Sequence, residues 1–198
     1  MIRAGRWEDV ERESGEWCFV DLGFARASKS CGILMSDGEP KELTFAELVS
    51  QVALAADMRA SRPLCLLLEA PLSVAFSSSG NPTGRAPEKR GSETRYWYAG
   101  LGTVVLTAAT YLLRSVVERQ PSREVLLFEG FASFKIKSAP ASHSLDVTRL
   151  REAVWSGHLF PHVLRPDALR VSDTDSIVSA FKVAGMDFGV PPVVVVDG

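Results

Sequence analysis

The chain has 198 residues, a formal net charge of −2, 46% hydrophobic residues and 23% charged residues. That length suits one domain, or at most a domain with an elaboration, and the apolar and charged shares are ordinary for a soluble globular protein. A near-neutral balance excludes a general nucleic-acid-coating protein, which would be basic throughout, and leaves room for a local basic groove.

The first residues, MIRAGRWEDVERE, are charged and carry no apolar run of the kind a secretory signal needs. The three cysteines, Cys18, Cys31 and Cys65, have no CxxC spacing. An odd, unpatterned set fits small buried side chains in a reducing, cytoplasmic setting. Tyr96–Leu113 is long and uncharged, but it holds two glycines and three threonines. It falls short of the roughly 20 mostly apolar residues a bilayer requires, so it reads as a buried helix and no membrane partner is expected.

Residues 1–15 read as a polar surface lead-in. Trp17–Asp21 and Lys29–Met35 read as two strands joined by a turn that carries Arg26 and Lys29, and Ser36-Asp37-Gly38 marks the next turn. Lys41–Leu43 completes an antiparallel meander. Thr44-Phe45-Ala46-Glu47 matches a capping box. Phe45, Leu48, Val49, Val52 and Ala56 then recur at helical spacing up to about Arg59. Leu64–Leu68 is a continuous apolar run, as in a strand buried on both faces, and it ends in Glu69.

Residues 76–94, rich in Gly, Ser and Pro, form a long loop, and such loops are usually functional or disordered. Its Arg85, Lys89 and Arg90, with Arg95 following, are candidate phosphate contacts, against the plainer reading of a solvated loop. Tyr96 to Arg119 is a long helix with Val105, Ala109, Leu112 and Val116 on one stripe. Glu124–Phe128 is another buried strand that ends in an acid, Glu129. Residues 131–143 form a loop whose Lys135 joins the candidate substrate contacts. Leu145–Trp155 is an amphipathic helix with Val147, Leu150 and Val154 inward. After an irregular stretch, Ser172-Asp173-Thr174-Asp175 opens a last helix with Ile177, Val178, Phe181 and Ala184 on one face, and Pro192–Val196 adds an edge strand. The order β-β-β-α-β-α-β-α-α(-β) implies an α/β domain with a mixed sheet and helices on both faces.

Three predicted strands end in acids: Asp21, Glu69 and Glu129. Ligand sites in open α/β sheets lie beyond the carboxyl ends of the strands. If those strands lie parallel and side by side, the carboxylates meet at one edge, and the start of the last helix adds Asp175 and Asp173. A single acid at a strand end usually marks only where polarity resumes, and Asp173 and Asp175 also suit the first turn of any helix. Recurrence in this order is what points to a site. Carboxylates crowded together need raised pKa values or a divalent cation, and an all-oxygen set suits Mg²⁺ or Mn²⁺. The matching chemistry is hydrolysis of a phosphodiester in a nucleic acid or nucleotide.

VDLGFARASKSCGIL resembles the first hairpin of RNase H-like nucleases and Holliday-junction resolvases, LLLEAP their fourth strand with its catalytic Glu, and SDTDSIVSAF their last-helix motif. Within that superfamily the chain is most similar to a bacterial and archaeal family of predicted nucleases (domain of unknown function four-two-nine). The acid-Pro-Leu pattern appears as Glu69-Ala70-Pro71-Leu72, and a Glu-initiated motif as FEGFASFK. The resemblance implies an RNase H-like fold, with Asp21, Glu69 and Asp175 as core metal ligands and Glu129 or Asp173 assisting. The chain departs from the family where Gly130-Phe131 follow Glu129 in place of an aromatic-Pro pair.

His158 and His162 are four apart, but Pro161 between them favours a structural or surface role over a metal site. His143 is a candidate base near Glu129. Tyr96, Trp97 and Tyr98 could stack on bases or belong to the core. No P-loop and no nucleophile elbow is present. Two rivals stay open: an ATP-binding relative of the actin and sugar-kinase fold, and a non-catalytic nucleic-acid or nucleotide binder of the RNase H-like fold.

Overall fold

The computed structural model describes residues 1–23, 29–94, 101–132 and 142–196. The main sheet contains β1 (Ile2–Ala4), β2 (Glu16–Leu22), β3 (Cys31–Met35), β4 (Lys41–Leu43) and β5 (Leu64–Glu69). Between them β6 (Ser73–Phe76), β7 (Pro82–Thr83), β8 (Lys89–Arg90) and β9 (Glu93–Thr94) form smaller sheets, and β10 (Val125–Phe131), β11 (Val163–Leu164), β12 (Ser176–Ser179) and β13 (Val193–Val195) complete the strands. The helices are α1 (Phe45–Asp57), α2 (Leu101–Glu118) and α3 (His143–Trp155).

The main sheet runs β11-β13-β10-β5-β2-β3-β4, with β1 also paired to β10. β2, β5 and β10 are parallel neighbours, while β2-β3-β4 is an antiparallel meander. The protein is therefore an α/β fold with a mixed sheet, as the order of elements implies. β5 lies at the centre, and all six of its residues are buried, which is why its sequence is a continuous apolar run rather than an alternation.

Side chains of successive strand residues point to opposite faces. One face carries Cys18, Val20, Leu66, Leu68, Val125 and Leu127, packed against α1 and α2. The other carries Trp17, Phe19, Cys65, Leu67, Leu126 and Phe128, packed against Val147, Leu150 and Val154 of α3. Trp17 is wholly buried, with ring centroids 5.5 Å from Phe19 and 4.7 Å from Phe128. Each such fully buried large apolar side chain stabilises the fold by about 1.5–3 kcal/mol. All three cysteines are buried and unpaired, and burial pushes the thiols of Cys18 and Cys65 up to about 12.

The α1 cap forms as expected: Thr44 Oγ1 accepts from the Glu47 amide at 3.2 Å, and the Glu47 carboxylate accepts from the Thr44 amide at 2.9 Å. Among the described residues no helix is long and apolar enough to cross a membrane. Three expectations change. The lead-in includes β1, whose backbone extends the sheet beside β10. The 76–94 loop holds short strands, with β6 pairing β7 and β12, and β8 pairing β9.

The last helix is absent as well. Asp175 closes a tight turn with Ser172, and Ser176–Ser179 runs antiparallel to Ser73–Phe76. Ile177 and Val178 fit a helical stripe in sequence, but they are β-branched. Once β6 offers an open edge, pairing with it overrides the periodicity. A single 3-10 turn, Lys182–Ala184, follows and ends at Gly185 with φ 73°.

Candidate metal centre

Asp21 and Glu69 are direct neighbours across the parallel β2–β5 pair, so their side chains rise from the same face at the carboxyl end of both strands. That face is the one α3 covers. α3 begins with Ser142 as its N-cap, whose Oγ accepts from the Leu145 amide at 3.2 Å. Its first turns then deliver His143 and Asp146 to the same place. One carboxylate oxygen each from Asp21, Glu69 and Asp146 lie within 4.8 Å of one another, and all three residues are buried. The positive end of the α3 dipole faces the cluster and favours negative charge there.

His143 Nδ1 lies 2.7 Å from Asp21 Oδ2. The ionised carboxylate can only accept, so Nδ1 donates. The hydrogen bond to Asp21 raises the imidazole pKa, partial burial opposes it, and the charges of Asp21, Glu42 and Asp146 add to the rise. Glu42 on β4 stands on the far side, 3.4 Å from Ser144 Oγ. Arg149 Nη1 is 3.8 Å from Asp146 Oδ1 on the same helix.

Two glycines let α3 come this close. A Cβ on Gly32 would lie 2.5 Å from the backbone carbonyl oxygen of His143, and one on Gly23 would collide with the His143 ring and the Ser30 carbonyl. Gly23 was legible as part of the first-hairpin motif. The close approach at Gly32 was not, because the helix it faces lies more than a hundred residues away in sequence.

Glu129 does not join this cluster. It is paired in register with Leu68, one residue short of Glu69, so the pleat aims it at the opposite face. There it is fully buried with Arg85, which is not the solvent-facing phosphate contact expected of a loop residue. Arg85 Nη2 is 2.7 Å from Glu129 Oε1, and Nη1 donates to Glu129 Oε2 at 2.9 Å and to Ser73 Oγ at 2.7 Å. Arg85 Nε donates to Glu88 Oε1 at 2.8 Å. Burial works against the charged guanidinium, but the two carboxylates outweigh it and hold its pKa above the ordinary value. Burial raises the Glu88 pKa, with Arg85 opposing. His143 is correspondingly beside Asp21 and not Glu129.

Asp175 accepts from the Ser172 amide at 2.9 Å and Asp173 is exposed; neither belongs to the cluster of Asp21, Glu69 and Asp146. With no last helix to carry it, Asp175 closes a turn with Ser172. The position expected of these acids is filled by Asp146. Its signal was present in the sequence: Asp146 lies on the inward stripe of α3, four residues before Leu150 and eight before Val154, where an acid is out of place unless it has a partner. Lys89 is exposed on β8, and Arg90 lies on the same strand. Arg95, Lys135, Arg26 and the Tyr96-Trp97-Tyr98 cluster lie outside the described residues. His158 packs edge-on against Trp7, and His162 Nε2 is 3.1 Å from the Ala153 carbonyl, so both serve packing.

The donor set suits a hard dication. Mg²⁺ binds oxygen at about 2.0–2.1 Å and Ca²⁺ at about 2.3–2.6 Å, so two ligands on opposite sides of an ion stand about 4–5 Å apart. The three carboxylate oxygens lie within 4.8 Å of one another, a bound that the span of opposite ligands on Ca²⁺ covers and that exceeds the Mg²⁺ span by about 0.6 Å. Comparison of the chain with protein-family models, with curated proteins and with solved structures returns no match.

Proposed function

We propose that the protein is a metal-dependent phosphodiester hydrolase of RNase H-like architecture, acting on a nucleic acid or nucleotide, with Asp21, Glu69 and Asp146 as the ligands of Mg²⁺ or Mn²⁺. The observation that carries the reading is the convergence of three buried carboxylates, two from adjacent parallel strand ends and one from a helix packed over them. The antiparallel meander followed by parallel strands is the architecture the sequence resemblance implies, and it supports the same reading.

A dication bound there would supply Lewis-acid activation of a water and of a phosphoryl oxygen. The residues themselves bind and orient. Asp21 and Glu69 are fixed by the ladder between β2 and β5. Asp146 closes the third side from α3. His143 donates from Nδ1 to Asp21 Oδ2 and so orients the Asp21 carboxylate.

The test is a thermal-shift titration with Mn²⁺, followed by cleavage of labelled single- and double-stranded oligonucleotides. At 100 times the dissociation constant, mass action stabilises the protein by about 2.7 kcal/mol. The expected result is a saturable rise in Tm that Asp21→Asn removes, together with Mn²⁺-dependent cleavage. A flat titration of the unsubstituted protein refutes the metal site. Saturable binding without cleavage of any strand refutes the nuclease activity.

A further inference from the structure

We infer that Glu129 and Arg85 are positioning residues for Glu69, acting on the acid cluster from the opposite face of the sheet; this rests on the metal-binding reading above. The link between the two faces is the chain that leaves β5. Glu69 is the last residue of that strand, and the Ala70 amide donates to the Leu68 carbonyl at 2.9 Å, so the backbone turns immediately after the ligand. Three residues past Glu69, the Leu72 amide donates to Glu129 Oε2 at 2.9 Å, and the Leu72 carbonyl accepts from the Ala180 amide at 3.0 Å. Both peptide groups of Leu72 are thereby fixed, and Ala70, Pro71 and Leu72 between them are buried.

The Glu129 carboxylate that accepts Leu72 is itself immobilised. Arg85 grips both of its oxygens, at 2.7 and 2.9 Å, and Arg85 is in turn held by Glu88 and Ser73. A strand end frays readily once the ladder stops. Here the residues that would fray are tied to a fully buried ion pair one strand over. A buried ion pair is a poor source of stability, because desolvation offsets most of the attraction, and a matched apolar pair often serves as well. An apolar pair would not accept the Leu72 amide, and it would not define where the chain departs from Glu69. The geometry thus assigns the pair a role in precision: holding one ligand oxygen in register with those of Asp21 and Asp146.

The full chain is titrated with Mn²⁺ alone, and the free ion is read by its electron paramagnetic resonance signal, while circular dichroism reports folding. Outer partners of metal ligands typically cost about 10–100-fold in affinity when changed. Because Glu129 acts through the backbone, Glu129→Gln is expected at the lower end, about tenfold weaker with the fold retained. Val116→Ala, a change in the buried core on α2, is expected to lower Tm and leave Mn²⁺ affinity unchanged. Should Glu129→Gln fail to fold, Arg85→Lys, which keeps a cation but loses the two-pronged grip, is read in the same way. A folded variant that binds Mn²⁺ as tightly as the unsubstituted protein overturns the inference alone. Equal weakening by Val116→Ala overturns it too, since general loosening would then explain the loss. An unsubstituted protein that binds no Mn²⁺ overturns the metal reading itself.

Discussion

Gly32→Ala is the sharpest probe of how the site is assembled. The added methyl would sit 2.5 Å from the His143 carbonyl oxygen and 2.8 Å from its carbonyl carbon, both backbone atoms of the first turn of α3. Ordinary contact begins near 3.4 Å, so the helix start must retreat by about 0.9 Å. No rotamer change can relieve a backbone collision, and overpacking of this kind costs about 1–3 kcal/mol. For a chain of 198 residues each kcal/mol lowers Tm by about 2–4 °C, which places the loss at about 2–12 °C. The same displacement carries His143 from Asp21 and Asp146 from its two partners, so Mn²⁺ stabilisation should shrink along with Tm. Gly38→Ala is the matched control: its nearest neighbour is Met35 Cβ at 3.6 Å, and the change should be close to neutral. Differential scanning calorimetry with and without Mn²⁺ measures both quantities. If Gly32→Ala melts within 1 °C of the parent and keeps its full Mn²⁺ response, the close approach of α3 to β3 does not govern the site.

Thr44→Ala removes the oxygen that accepts the Glu47 amide and half of a reciprocal cap. It should cost about 1 kcal/mol in urea unfolding and leave Mn²⁺ affinity intact, because α1 lies on the other face of the sheet; a change below about 0.3 kcal/mol would remove the cap from the account of α1. Glu88 sets a pH dependence. Burial raises its folded pKa above the unfolded value of about 4.3, so its favourable contribution is complete below that value and is lost as pH rises through the folded one. Glu88→Gln should therefore gain stability relative to the parent between pH 4 and pH 8, measured by urea unfolding at each pH. A relative stability that stays level or falls over that range contradicts the burial argument.

Strands with a strong apolar run and the reciprocal cap were readable in the sequence, because short-range chemistry decides them: Leu64–Leu68, Val125–Phe128 and Thr44–Glu47 form as their residues dictate. Asp21 and Glu69 were readable for a related reason, since each sits where an apolar run stops, and the parallel pairing of β2 with β5 brings them together. Glu129 also closes an apolar run, yet it faces away. Which face a strand-end residue takes depends on one step of register, and register is set by neighbours distant in sequence. The sequence points to the stretch after Ser172 for the third acid, because Ile177, Val178, Phe181 and Ala184 mimic a helical stripe. That stretch is settled instead by the free edge of β6. Arg85 reads as a phosphate contact on a loop because nothing near it in sequence announces Glu129, 44 positions on.

The alternation of faces also governs which changes of length the chain can absorb. Removing or adding one residue within β10 upstream of Glu129 would turn every later side chain over, presenting this carboxylate to the α3 side and Gly130 to Arg85. Nor could such a slip be absorbed gradually, because the pleat has no intermediate state. Exposed Ser78–Asn81, by contrast, lies outside the ladder of the main sheet, so length variation there leaves the two faces undisturbed. Insertions and deletions in this protein are thus filtered by parity in the central strands and by almost nothing at that hairpin tip.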